Sequence, residues 1–164
     1  MIDSIYEIFG ISFLVTAHAK QLILSASIGY LIGFERAIRG KQASMKTFAT
    51  LCGGSCLFTI LSYEASGGIS ASPHDVTRIA AQIVTGVGFI GGGVIFKTTD
   101  RVEGVTTGAL IWLTSAIGMA CGFNQISLVI WACLVGAVVH IVSAISHSLM
   151  HRSGMSRGKV MEDS

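Results

Sequence analysis

The stretch that decides the fold is IAAQIVTGVGFIGGGVIF, residues 79–96, which contains no charged side chain and is bounded by Arg78 and Lys97. As a helix rising 1.5 Å per residue it would be about 27 Å long, close to the roughly 30 Å thickness of a bilayer's hydrocarbon core. Five of its residues are glycine, and residues 86–91 also match the GxGxxG dinucleotide-binding pattern. Length and lack of charge predict a membrane-spanning helix.

The alternative is a nucleotide-binding loop. It requires a strand before the glycines, an amphipathic helix after them and an acidic residue about 20 residues later. The glycines here lie inside an apolar run, so the pattern indicates helix packing instead. The sequence contains no Walker A motif, no nucleophile with a base and no pair of carboxylates placed for acid–base chemistry. We therefore expect no enzymatic activity, no catalytic residue, no cofactor and no metal site.

The composition is typical of a membrane protein. Of 164 residues, 51% are hydrophobic and only 12% charged, the mean hydropathy is +0.69, and the net charge is +2. These values argue against a disordered chain and against a basic nucleic-acid-binding domain, so we expect no nucleic-acid partner. The four cysteines all lie in apolar runs, which indicates packing rather than a disulfide framework.

Further stretches approach membrane length. One ends at Phe34 and contains only Lys20, which can extend to the interface, and the others comprise residues 47–61, 105–121 and 126–147. Together they predict an all-α polytopic membrane protein, a bundle of about five transmembrane helices. We assign residues 1–151 to this transmembrane domain and residues 152–164 to a short cytoplasmic tail.

The basic residues predict the orientation. With five crossings, nine Lys and Arg residues fall on one side, and only Lys20 and Arg78 fall on the other. Because cytoplasmic loops are enriched in Lys and Arg, we expect the N-terminus outside and the C-terminus in the cytoplasm. Asp3 and Glu7 precede the first apolar run, which is unlike the positive start of a cleaved signal peptide.

Small residues predict how the helices pack, because lipid favours close backbone approach over hydrophobic attraction between helices. Ala81, Thr85, Gly88 and Gly92 form one stripe on the third helix, and Ser25, Gly29 and Gly33 form another on the first. We expect these two helices to pack directly against each other, and we expect a homo-oligomer. The predicted packing glycines are Gly29, Gly33, Gly86, Gly88, Gly91 and Gly92.

Three polar residues descend from the predicted outer interface into the third helix. Asp75, Arg78 and Gln82 are spaced i, i+3 and i+7, so they share one face. Because charges at membrane depth usually have a function, one interpretation is a functional polar notch. The alternative is structural: residues 72–75, Ser-Pro-His-Asp, resemble a capping box that starts the helix, with the polar side chains extending to the interface.

Two predicted cytoplasmic loops carry the remaining candidates. Either they form a docking surface for a partner, or their charges only set the orientation and pair between the loops. Thr106 and Thr107 are placed to cap a helix or to bond across helices. The candidate binding residues of these loops are Glu35, Arg36, Lys41, Lys46, Arg101, Thr106 and Thr107.

Three blocks of the sequence resemble the MgtC/SapB family of bacterial inner-membrane proteins. They are residues 29–47 with Gly-Phe-Glu-Arg at 33–36, residues 75–95 with Arg-Ile-Ala-Ala-Gln at 78–82, and residues 102–112 with Thr106 and Thr107. The resemblance implies a multi-pass protein of the inner membrane with roles in magnesium limitation, acid adaptation or virulence. It also implies a modulator that binds other membrane proteins, including the ATP synthase or a magnesium transporter.

The chain departs from the family pattern in places. Ser44 and Lys46 stand where the family usually has Gly and Arg, and the signs of the charges around Arg101 are rearranged. The sequence ends about a dozen residues after His151, so we expect it to lack the soluble C-terminal domain of many members.

The alternative function is a magnesium or other ion transporter formed by an oligomer. Mg²⁺ prefers carboxylate oxygens and retained waters, and the predicted spans contain neither Asp nor Glu. A pore between subunits would therefore have to be lined by Gln82 or by backbone carbonyls.

Overall fold

The described residues of the chain fold into five α-helices and one short hairpin. The computed structural model describes residues 2–40, 43–67, 73–99 and 101–152, and the side chains of residues 18–40, 43–67, 78–99 and 101–146. The elements in chain order are α1 (Ile2–Ile38), α2 (Met45–Ala65), α3 (Pro73–Gly93), β1 (Phe96–Lys97), β2 (Val102–Glu103), α4 (Val105–Gly122) and α5 (Ile126–Arg152).

Two compact units divide these elements. The first, Met1–Val129, contains α1 to α4 and the first turn of α5, and the second, Ile130–Ser164, contains the rest of α5. The described residues of the second unit belong to one helix, and their described side chains are largely apolar and exposed, among them Trp131, Val138 and Ile145. The helical fold class that the sequence predicts is confirmed.

Helix α2 is the centre of the first unit, because α1, α3 and α4 all pack against it. Its Phe48 is fully buried and joins Ala43, Val87, Leu110 and Ile111 in one hydrophobic cluster. In the described residues α1 packs against α2 and α4, so the prediction that α1 packs directly against α3 is wrong. The small residues of α1 meet the backbone of α2 instead.

The helices of this unit alternate in direction. Gly33 of α1 lies against Met45 at the start of α2, and His18 Nε2 lies 3.5 Å from Glu64 Oε1 near the end of α2. At the far end of α4, Gly122 lies against Thr59 of α2. The end of α1, the start of α2 and the start of α4 therefore meet at one end of the bundle.

The connection between α3 and α4 is a hairpin rather than the plain loop that the sequence indicates. Strands β1 and β2 pair antiparallel, with Phe96 opposite Glu103 and Lys97 opposite Val102. Gly104 follows at φ +87°, and a Cβ there would press on the carbonyl of Val94, so this position requires glycine. Strands of two residues are too short to leave a periodic pattern in a sequence.

Three of the helices are long and apolar enough to cross a membrane by length and composition, within the part of the chain that the structure describes. They are Met45–Ala65, Val105–Gly122 and Ile126–Ser146. Helix α1 is a single helix of 37 residues, about 56 Å long. The start of α3 at Pro73 agrees with the fixed φ of proline at a first helical position.

Candidate functional site

An open groove lies between α2 and α3, and we call it the α2–α3 groove. Nearest the start of α2 it holds a cavity of about 870 Å³ whose walls are mainly apolar, including Leu51, Phe58 and Ile90. Lys46 and Thr47 line it in the first turn of α2. The groove is therefore an apolar trough with a cation at one end.

The second part of the groove lies between the end of α2 and the start of α3. It holds a cavity of about 700 Å³ lined by Ser62, Ser66 and Arg78. Ile79 and Gln82 line both cavities. The structure thus places Arg78 and Gln82 of the predicted polar stripe in one groove.

The charge of the groove is positive at both ends. Lys46 lines one cavity, Arg78 lines the other, and Gln82 lies between them, while none of the described residues lining either cavity is acidic. Such a lining suits a polar or anionic group better than a divalent cation, which prefers carboxylate oxygens. Two further candidates lie outside the description: Lys41 is not among the described residues, and the side chain of Asp75 is not described.

A separate cluster of charged side chains lies at the C-terminal end of α1. Arg36 is only 4% exposed, and its Nε lies 3.2 Å from Glu35 Oε2. Arg39, just after the end of α1, also pairs with Glu35. One carboxylate therefore contacts two guanidinium groups, of which only Arg36 is buried. This arrangement indicates that Glu35 and Arg36 stabilise the end of α1.

The candidates near the hairpin are divided between surface and core. Arg101 Nε lies 2.7 Å from Glu103 Oε1 at the second strand of the hairpin. Thr106 is exposed in the first turn of α4, whereas Thr107 is buried. The structure does not bring Arg101, Thr106 and Thr107 into the α2–α3 groove, whose lining comes from α2 and α3.

The candidate glycines fall into two groups. Gly29 and Gly33 lie against the backbone of α2, and a Cβ on Gly91 would lie 3.4 Å from the carbonyl oxygen of Gly108 in α4. By contrast, a Cβ on Gly86, Gly88 or Gly92 would meet nothing within 4 Å. The bundle therefore uses the first group for close packing and leaves the backbone of the second group open.

A series of buried hydroxyl groups was not predicted from the sequence. Ser55 of α2 and Ser115 of α4 share a buried hydrogen bond of 2.8 Å, and Thr59 donates to the Ser55 carbonyl at 2.8 Å. Ser62 and Thr114 are buried as well. The i, i+4, i+7 spacing of Ser55, Thr59 and Ser62 was the available signal, because it places the three on one face of α2.

A model of the MgtC family matches residues 22–149, most of the chain. The chain belongs to the MgtC family. The matched residues include the second half of α1, the whole α2–α3 groove, the hairpin, α4 and most of α5. This MgtC-family chain is a membrane protein, as its family membership and its three apolar helices of membrane length together indicate.

Several curated proteins are similar to this chain. It is 40% identical over 135 residues to "Putative magnesium transporter YhiD" of Escherichia coli (strain K12), an alignment that covers 80% of this chain and 61% of YhiD. It is 41% identical over 112 residues to "Protein MgtC" of Brucella abortus (strain 2308), covering 68% of this chain and 45% of that protein. "Protein MgtC" of Salmonella typhimurium (strain 14028s / SGSC 2262) is 37% identical over 112 residues, with 68% and 46% covered.

The chain thus spans between about half and three fifths of the curated relatives it matches. No solved structure matches it.

Proposed function

We propose that this MgtC-family chain is a modulator protein of the bacterial inner membrane that binds other membrane proteins and is linked to magnesium limitation, acid adaptation or virulence. Its contact surface is the exposed face of α3 formed by Ala81, Thr85, Gly88 and Gly92, which we call the small-residue face. The observation that carries the proposal is that Gly88 and Gly92 have open space where a Cβ would stand, whereas Gly91 of the same helix packs against α4.

The physics of the bilayer favours a helix as the ligand of this face. Lipid chains are as apolar as leucine, so helices associate there by van der Waals packing and by contacts between polar groups. Gly88 and Gly92 are one turn apart and would allow a neighbouring helix to approach the backbone of α3. A second copy of the chain would satisfy the same geometry, which supports the expected homo-oligomer as well as a different partner.

The orientation follows from the distribution of charge in the bundle. Among the described side chains, Arg36, Arg39, Lys46, Lys97 and Arg101 belong to the end where α1 finishes and α4 begins, and Lys20 and Arg78 to the opposite end. Under the positive-inside rule the first end is cytoplasmic. This supports five crossings, with α1 and α3 as the additional spans and the N-terminus outside.

Cysteine labelling tests the orientation. We would introduce Ser66→Cys and Arg101→Cys separately and treat intact cells with a membrane-impermeant maleimide. The Ser66→Cys variant is expected to react in intact cells, and the Arg101→Cys variant only after the cells are opened. The native Cys52, Cys56 and Cys121 are buried but Cys133 is partly exposed, so the unmodified chain is labelled in parallel to measure the background. Labelling of the Arg101→Cys variant in intact cells would contradict the proposed orientation and indicate the opposite one.

The link to magnesium rests on the relatives. YhiD is named for magnesium transport, and this chain is 40% identical to it over 135 residues. The family resemblance adds the ATP synthase or a magnesium transporter as partner classes. Because the chain spans 61% of YhiD, activities of the whole relative are carried over as proposals.

Crosslinking tests the partner surface. A photoreactive amino acid at Thr85 should capture a partner protein, or a second copy, in native membranes. Gly88→Leu and Gly92→Leu should abolish the capture without lowering thermal stability, because each added side chain enters open space.

The matched control is Gly86→Leu, since this glycine is equally open but lies in the α2–α3 groove. Capture that survives Gly88→Leu and Gly92→Leu, or that is lost equally in Gly86→Leu, would contradict the assignment of the small-residue face. Failure of capture at Thr85 in growing and in magnesium-limited cells would do the same.

The second candidate function is an ion transporter or channel formed by an oligomer, which the name of YhiD favours. The purified chain would be reconstituted into sealed vesicles that contain a magnesium-sensitive dye. Magnesium entry that is lost in Gln82→Ala would establish this alternative and overturn the modulator proposal. We expect no entry, because the groove cations Lys46 and Arg78 repel Mg²⁺.

A further inference from the structure

The α2–α3 groove has no role in the proposed function. At about 100° per residue, Gly86 in the groove and Gly88 on the small-residue face point roughly 160° apart around α3. Ala81 of the small-residue face borders the 700 Å³ cavity, but Thr85, Gly88 and Gly92 line neither cavity, so a partner helix on that face would leave the 870 Å³ cavity open. The groove is a separate surface with its own shape and charge.

The shape of the groove fits hydrocarbon chains better than a helix. From Lys46 to Phe58 α2 rises about 18 Å, close to the ~15 Å depth of one leaflet's hydrocarbon. The 870 Å³ cavity therefore has a mean cross-section of roughly 50 Å² over that length. A helix about 10 Å across needs roughly 80 Å². Two hydrocarbon chains about 4.5 Å apart need roughly 40 Å².

The charge at one end of the groove fits a phosphate group. Lys46 and Thr47 line the cavity in the first turn of α2, where the helix dipole adds positive potential. The N-cap residue Ser44 makes no side-chain capping bond, and its hydroxyl lies 3.5 Å from the Thr47 hydroxyl. An ammonium group, a hydroxyl and the open N–H groups of a helix start are donors that phosphate accepts.

We propose that the α2–α3 groove binds a phospholipid with a net negative charge. Its phosphate lies at Lys46 and Thr47, with Thr50 close behind, and its acyl chains follow the apolar walls past Gly54 towards Gln82. Assigning this lipid to the cytoplasmic leaflet rests on the proposed topology. The maleimide labelling described above tests the topology independently, so the lipid proposal and the proposed topology can fail separately.

Lipid retention by the full-length chain tests the proposal. The chain would be purified in detergent, incubated with phosphatidylglycerol or phosphatidylcholine and examined by native mass spectrometry. We expect one phosphatidylglycerol to be retained in preference to phosphatidylcholine. Lys46→Gln should weaken retention about fivefold, since one cation near a charged membrane surface contributes about 1 kcal/mol. Thr50→Val is a second variant of the same site should Lys46→Gln not fold.

Two controls separate this site from general lipid contact. Lys97→Gln removes the same charge from the exposed hairpin and should leave retention unchanged. Gly54→Leu fills the groove where a Cβ meets nothing within 4 Å, so it should abolish retention without lowering the melting temperature.

Four results would overturn the proposal. The first is equal loss in Lys46→Gln and Lys97→Gln, which would mean general attraction to charge. The second is undiminished retention in folded Gly54→Leu. The third is displacement of the lipid by millimolar inorganic phosphate alone, which would assign the site to a free anion. Capture of a protein, rather than lipid, that is lost only in Gly54→Leu would assign the groove to a partner helix.

Discussion

Gly33→Ala is the sharpest test of the packing between α1 and α2. A Cβ at this position would lie 2.6 Å from Met45 Cα, 2.9 Å from Met45 N and 2.9 Å from Ser44 O. All three are backbone atoms, so no side chain can rotate away. Ordinary contact begins at 3.4 Å, and the helices must therefore part by about 0.8 Å (3.4 − 2.6) at this point. We expect the substitution to destabilise the folded chain.

The magnitude follows from two opposing effects. Overpacking a well-packed interface costs about 1–3 kcal/mol, and a clash with backbone belongs near 3 kcal/mol. Alanine is about 1 kcal/mol better than glycine inside a helix, which offsets part of that cost. The net loss is about 2 kcal/mol, or roughly 4–8 °C in melting temperature for a chain of this size. Gly88→Ala keeps the propensity gain without a clash, so its melting temperature should rise by roughly 2–4 °C.

The assay is thermal unfolding in one detergent at one scan rate, followed by circular dichroism at 222 nm. Gly88→Ala is the matched control, because it makes the same change in a helix where a Cβ meets nothing within 4 Å. A melting temperature of Gly33→Ala at or above that of the unmodified chain would refute the close approach of α1 to α2. Equal loss in both variants would refute the difference between packed and open glycines.

Two further predictions concern polar contacts inside the bundle. Ser55→Ala and Ser115→Ala should each cost about 1 kcal/mol, and a double-mutant cycle should return a coupling of roughly 0.6–1.7 kcal/mol; additive losses would contradict the 2.8 Å hydrogen bond between them. Glu35→Ala should cost about 2 kcal/mol in the same melting assay, below the 3–5 kcal/mol of a fully buried pair because Glu35 is 37% exposed. Arg39→Ala should cost under 1 kcal/mol because Arg39 is 47% exposed. A loss of stability in Arg39→Ala equal to or larger than that in Glu35→Ala would contradict the inference that Glu35 stabilises the fold mainly through its pair with the buried Arg36.

Local features of the sequence predicted much of the fold. Uncharged runs of membrane length correspond to helices, and α3 begins at Pro73 as the capping pattern indicates. Two residues of the polar stripe, Arg78 and Gln82, line one cavity, because residues four apart share a helical face. These predictions succeeded because each depends on chemistry within one or two helical turns.

The predicted pairing of helices failed for a physical reason. Stripes of small residues occur on both α1 and α3, and either stripe fits any neighbouring backbone equally well. In lipid no amphipathic pattern distinguishes the inner face from the outer one, because both faces are apolar. Gly29 and Gly33 therefore could not reveal that their neighbour is α2 rather than α3.

By itself the sequence determined that the chain is helical, rich in membrane-length apolar segments and without the setting that a nucleotide loop requires. Charge, length and helical period carry that information because each acts locally along the chain. Only the tertiary structure decided which glycines are covered, that Ser55 bonds to Ser115, and that Lys46 and Gln82 line one groove. Those facts depend on how α2 contacts α1, α3 and α4, and such contacts are selected by the fit of whole surfaces from distant parts of the chain.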